Sequence, residues 1–173
     1  MAIVKNATFE VGVENHVNWF SASVAQDTGD SHGGTGSLLV TTTAAFGSGV
    51  QLDVVPYYPI TALNSYDFEL WYKESTATMP TVTWNIEWLD NAGATIIATD
   101  TISMPRATSW TRVAGSFTAP DTSFRLRWTF TWGPPASGPA FRVDDLLVQD
   151  TPAAGAGALP MSRRRQLGAL IQL

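Results

Sequence analysis

Two adjacent carboxylates, Asp144 and Asp145, interrupt an apolar run in which Phe141 and Val143 come before and Leu146, Leu147 and Val148 after. A strand sends successive side chains to opposite faces, so Phe141 and Val143 would be followed in phase by positions 145 and 147. Position 145 is acidic, and a bulge there restores the phase by turning Leu146 and Val148 inward. A carboxylate left at such a bulge, on the margin of a core, needs a cation or several hydrogen-bond donors. Near the other end of the chain, Asn6-Ala7-Thr8-Phe9-Glu10-Val11-Gly12 offers another isolated acid. The two ends meeting over a calcium ion is one reading. Asp144 and Asp145 capping a turn, or pairing with an arginine, is the other.

A further set of chemistry-bearing residues comes from alternation. Phe68, Leu70 and Tyr72 oppose Asp67, Glu69, Trp71 and Lys73. Val82, Trp84, Ile86 and Trp88 oppose Thr83, Asn85 and Glu87, and Leu126, Trp128, Phe130 and Trp132 oppose Arg125, Arg127, Thr129 and Thr131. The apolar sets define a core. If these strands are neighbours, their other face is a shallow polar groove. Trp71 would then be a platform for the apolar face of a pyranose, and Glu69, Asn85, Glu87, Arg125 and Arg127 would bond its hydroxyls. Tyr57, Tyr58 and Trp132 would line the rim, while Trp84, Trp88, Trp110 and Trp128 are assigned to the core. The same acids and arginines also read as cross-strand pairs worth roughly a few tenths of a kcal/mol each, with Trp71 covering a sheet edge or an interface. No nucleophile elbow, zinc motif or phosphate loop accompanies them, so a non-catalytic protein is expected. An acid pair such as Glu69 and Glu87, acting as a glycosidase dyad, would contradict it.

The elements that must position these residues are short strands. Segments 19–24, 37–43, 49–55, 66–73, 81–89, 94–103, 109–118, 124–132 and 140–149 read as strands, separated by turn clusters such as Asp27-Thr28-Gly29-Asp30 and Asp90-Asn91-Ala92-Gly93. That pattern predicts an all-β, jelly-roll β-sandwich of two antiparallel sheets over residues 1–150, with an extended or short-helical C-terminal tail. Residues 151–160 form a Pro/Ala/Gly linker and 161–173 a basic, apolar segment. Only 14% of residues are charged while 45% are hydrophobic, a folded composition, and without cysteine the fold leans on neither disulfides nor thiolate metal sites. All 15 acids precede residue 151 and three of the ten basic residues, Arg163, Arg164 and Arg165, follow it. An acidic body argues against nucleic acid as a partner, and no apolar run is long enough to span a membrane.

Asn6, Phe9-Glu10, Gly12, Trp19, Asp27-Thr28-Gly29 and the run His32-Gly33-Gly34-Thr35-Gly36-Ser37-Leu38-Leu39-Val40 together resemble the start of a jelly-roll carbohydrate-binding module. The likeness is to the xylan- and glucan-binding kind attached to bacterial glycosidases. It continues through 66–73 and Trp110–Pro120 and ends at Phe141–Val148. The resemblance implies a structural Ca2+, with Glu10 and Asp145 supplying carboxylates and backbone carbonyls near Gly12 and Gly34 assisting. It implies a packing and hydrogen-bonding role for His32. His16 has no counterpart and is expected in a surface loop. Gly33, Gly36 and Leu39 replace the bulkier or polar residues usual in that segment.

Two jobs fit. In the first, a bacteriophage virion protein assembled in the host cytoplasm presents the module, as a capsid decoration or on the tail surface. A methionine running directly into the domain with no export signal suggests this, as does the terminal segment. Arg163, Arg164, Arg165, Leu167, Leu170, Ile171 and Leu173 would then dock on a neighbouring virion subunit, and cell-surface glycan is a further partner. In the second, the chain is a glycan-binding accessory module of a secreted polysaccharide-degrading enzyme.

Overall fold

A computed structural model describes residues 2–43, 48–52, 57–75, 79–133 and 138–151. Twelve strands follow one another: β1 (Ala2–Ala7), β2 (His16–Phe20), β3 (Ala22–Asp27), β4 (Ser37–Thr42), β5 (Ser48–Leu52), β6 (Tyr58–Pro59), β7 (Ser65–Glu74), β8 (Val82–Leu89), β9 (Ile96–Met104), β10 (Thr111–Thr118), β11 (Arg125–Trp132) and β12 (Ala140–Thr151). They form two six-stranded antiparallel sheets. Sheet A runs β10-β7-β12-β4-β3 with β1 on β12, and sheet B runs β2-β5-β11-β8-β9 with β6 on β11. This is the expected jelly-roll sandwich. No helix among the described residues is long and apolar enough to cross a membrane.

The alternation read from the sequence is the alternation of burial. Phe68, Leu70, Tyr72, Val82, Trp84, Ile86, Trp88, Leu126, Trp128 and Phe130 are buried between the sheets. Rings meet across the gap: Phe68 stands edge-on to Trp84, and Phe130 to Phe141. Fully burying a phenylalanine contributes roughly 1.5–3 kcal/mol of transfer free energy and the larger tryptophan more, so these rings account for much of the cohesion of the two layers.

Three local features depart from the sequence reading. Residues 19–24 are not one strand: Ser21, at φ 40°, breaks the run so that β2 joins sheet B and β3 joins sheet A. Trp132 lies in the core at 5% exposure rather than on a rim, and donates its indole N–H to Thr42 at 3.1 Å. His16 is not in a surface loop. It is 1% exposed, packed against Phe9, Trp128 and Phe130. Its Nδ1 meets the Val13 carbonyl at 3.0 Å and its Nε2 takes the Trp128 indole N–H at 3.3 Å. That pattern requires the neutral imidazole protonated on Nδ1. Burial pushes the His16 pKa down to about 4.

Candidate functional site

The bulge lies where the interrupted phase places it. The pairing of β12 with β7 shifts register between Asp144 and Leu147, and Asp145 takes a left-handed φ of 47°. Val143, Leu146 and Val148 are all buried as a result. Asp144 is fully buried and its carboxylate is met by donors rather than by an arginine. Oδ2 accepts the backbone N–H groups of His32 (2.8 Å) and Gly33 (3.1 Å), and Oδ1 accepts that of Asp145 (2.8 Å). Burial pushes the Asp144 carboxyl upward, while the three N–H groups work against that rise. One side chain thus ties the 31–36 loop to a strand more than a hundred residues away.

The same loop receives Glu10 and Asp145. Thr35 donates its backbone N–H (3.0 Å) and its hydroxyl (2.7 Å) to Glu10, and Gly36 N–H adds a bond at 3.2 Å. The Thr35 hydroxyl is foremost in holding Glu10 below the usual carboxylate range. Asp145 Oδ2 meets His32 Nδ1 at 2.7 Å. Gly33 and Gly34 make room for both acids. A β-carbon at Gly34, which has φ 61°, would collide with the Glu10 carboxylate, and one at Gly33 would come within 2.8 Å of Asp145 Oδ2. Two carboxylates far apart in the sequence therefore sit over adjacent glycines. Their oxygen-only chemistry suits a hard cation such as calcium, provided backbone carbonyls and water complete the shell. Among the described residues no group of three or more acidic, histidine or cysteine side chains is arranged to hold a metal.

The groove expected from alternation is divided between two sheets. Glu69 and Trp71 lie on β7 in sheet A, whereas Asn85, Glu87, Arg125 and Arg127 lie on β8 and β11 in sheet B. Because outward residues of a sandwich point away from the shared core, the two sets occupy opposite surfaces. On sheet A, one face of the Trp71 ring is covered by His32, with centroids 3.7 Å apart and planes 12° from parallel. Glu69 is engaged by Arg112 through two bonds of 2.6 and 2.8 Å. Trp110, assigned to the core, instead packs edge-on to His32 and donates to Asp30, which also holds Lys73 at 2.7 Å.

Sheet B keeps four of the six residues together. Arg127 and Glu87 are cross-strand partners and form an ion pair, with side chains only 16% and 9% exposed. Tyr57 lies against the guanidinium, its ring centroid 5.3 Å from Arg127 Cζ and its hydroxyl 3.3 Å from Nη1. Arg125 donates to the carbonyls of Asn91 (2.7 Å) and Tyr57 (3.3 Å). Asn85 Nδ2 donates to the hydroxyls of Thr129 (3.1 Å) and Thr131 (2.9 Å), which orients its amide. The two threonines were legible only as outward positions, with nothing to mark them as supports. Tyr58, expected on the rim, stacks on Trp128 at 5.5 Å and 4° and packs against the core. The outcome is a set of preset polar groups around one aromatic ring, with Glu87 and Thr129 buried and Tyr57, Asn85 and Arg127 part-exposed, a chemistry suited to bonding hydroxyls.

The chain belongs to the carbohydrate binding domain family, whose model matches residues 1–138. That family is non-catalytic. Among solved structures, the CBM22-1 xylan-binding domain of Paenibacillus barcinonensis Xyn10C is 17% identical, with a TM-score of 0.67 over 88% of this chain and 96% of its own. The CBM22-1–GH10 modules of Clostridium thermocellum xylanase 10B, complexed with xylohexaose, are 18% identical with a TM-score of 0.67 over 86% of this chain. This chain spans 28% of that two-module polypeptide. The enzymatically active domain of tailspike protein 4 of bacteriophage CBA120 is 10% identical, with a TM-score of 0.59 over 84% of this chain and 20% of its own. No curated protein matches the chain. The proposed docking residues Arg163, Arg164, Arg165, Leu167, Leu170, Ile171 and Leu173 lie outside the described residues.

Proposed function

We propose that this domain is a non-catalytic glycan-binding module that takes xylan or a similar neutral polysaccharide on the outer face of sheet B, as an accessory to a polysaccharide-degrading enzyme. The observation that carries the reading is the largely buried Arg127–Glu87 pair with Tyr57 against it and the oriented Asn85 beside it. Groups locked in this way lose little conformational freedom on binding, which is how a shallow site gains affinity. Xylan-binding domains of the same fold support the choice of substrate class. Screening the full chain on a glycan array tests it. Wild type should bind a β-linked neutral glycan, and Asn85→Ala and Tyr57→Ala should each lower binding at least about tenfold at unchanged stability. Binding that is undiminished in both variants would remove sheet B from the account.

Glu10 and Asp145 are further assigned to a structural Ca2+, supported by their convergence over Gly33 and Gly34. The ion would pin the 31–36 loop against β12 and the segment that follows β1. Exhaustive chelation should lower the melting temperature by about 5 °C, recovered by calcium but not by magnesium. An unchanged melt would reject the assignment.

A second reading, a bacteriophage virion surface protein docked through its C-terminal segment, is favoured by the tailspike likeness. It predicts that deleting residues 152–173 abolishes an assembly seen with the full chain in size-exclusion chromatography. Identical elution of both forms would dismiss it.

A further inference from the structure

The surface of sheet A opposite the proposed glycan face carries a depression of its own, of about 270 Å³. The register dictates its composition. Across β10, β7 and β12, Ala114 lies beside Glu69 and Leu147, and Ser116 lies beside Asp67 and Gln149. Between Arg112 and Ser116, the small Ala114 leaves a gap, so that Ala114 and Leu147 form an apolar floor between polar walls. Each wall is preset. Arg112 grips both oxygens of Glu69, while Ser116 and Thr151 each bond one oxygen of Asp67. Among the described residues, no hydrogen bond satisfies the Gln149 amide.

This arrangement has a chemical consequence. An ionised carboxylate offers about four acceptor positions, and each of these two has roughly half of them in use. Side-chain hydrogen bonds hold both acids below the usual carboxylate range, so both are ionised at neutral pH. The walls therefore present fixed acceptors with spare lone pairs, together with the guanidinium and a free amide. What satisfies spare acceptors at fixed spacing over an apolar floor is a ligand with several hydroxyls and a C–H face. A volume of roughly nine waters matches one or two sugar residues. A bare cation fits less well, because the guanidinium of Arg112 closes one wall.

We propose that this trough on sheet A is a second saccharide site, taking one or two residues of a neutral glycan on the face opposite sheet B. It rests on the reading that the module binds neutral glycans, and the experiment separates the two. The full, isotope-labelled chain is titrated with xylohexaose and with cellohexaose while backbone amide shifts are followed by NMR. The expected result is saturable shifts at 67–69, 112–116 and 147–149 in addition to those at 85–87 and 125–129. Ala114→Trp, which fills the trough at an exposed edge-strand position, should abolish the first group and leave the second. Gln149→Ala, a milder change, should weaken the first group by about tenfold. Shifts confined to 85–87 and 125–129, or trough shifts that survive Ala114→Trp, would overturn the second site and leave the first standing. Shifts confined to the trough would uphold it and overturn the sheet B reading. Shifts at neither face would overturn both.

Discussion

Lowering the pH from 7 to 4 should remove about 3 kcal/mol of folding stability through a single side chain, His16. Its imidazole is neutral in the fold, sandwiched between Phe9, Trp128 and Phe130, with a pKa near 4 against an ordinary 6.5. Above pH 6.5 neither the folded nor the unfolded chain protonates it, and no stability is lost. Between 6.5 and 4 the unfolded chain binds a proton that the folded one refuses, so stability falls as pH falls, by about 1.4 kcal/mol per unit. Below 4 both states are protonated and the loss levels off. Asp27, Asp30, Asp67 and Glu69, all held below the usual carboxylate range, contribute stability that is lost only as pH falls through their own lower values. The upper part of the window therefore belongs to His16. Urea midpoints measured from pH 7 to 4.5 should trace this slope, and His16→Gln should flatten it. A wild-type midpoint independent of pH across that range would show that the imidazole is not sealed in the core.

Asp144→Ala should be the most damaging single change at the bulge, costing about 4 kcal/mol and lowering the melting temperature by about 10 °C. The wild-type carboxylate is fully buried and accepts three backbone N–H groups, of His32, Gly33 and Asp145. Alanine leaves all three donors without their acceptor and empties the space of a fully buried side chain. Asp144→Asn keeps one acceptor oxygen but turns an amide N–H₂ toward other donors, so an intermediate loss is expected. Asp145→Ala, at a partly exposed position, should cost far less in the absence of calcium. Calorimetry of the three variants gives the order directly. Equal melts for Asp144→Ala and wild type would mean that the loop is held by something other than this residue.

Much of the architecture is readable from alternation, because a strand with one buried face must repeat every two residues. The inward tryptophans of β8 and β11 and the phase break at Asp144–Asp145 follow from that rule alone. What alternation does not encode is which sheet a strand joins. β7 and β8 are consecutive and similar in pattern, yet they belong to different layers. Trp71 and Arg127, apparent neighbours on one groove, thereby separate to opposite surfaces. His16 shows another limit. A histidine beside a turn reads as solvated, and only the tertiary partners Val13 and Trp128 reveal a neutral core residue. Trp110 fails in the converse sense, since its indole N–H finds a carboxylate, Asp30, outside the core. The cross-strand partnership of Glu87 and Arg127, by contrast, follows from alternation once β8 and β11 are neighbours.

The claim that joins these observations is that the outer face of sheet B recognises a neutral glycan through side chains already fixed in place. Isothermal titration of the full chain with xylohexaose addresses it most directly. Saturable heat is expected for wild type and a loss of affinity of at least about tenfold for Asn85→Ala, with both proteins melting within a few degrees of each other. Indistinguishable affinities for the two proteins would contradict it.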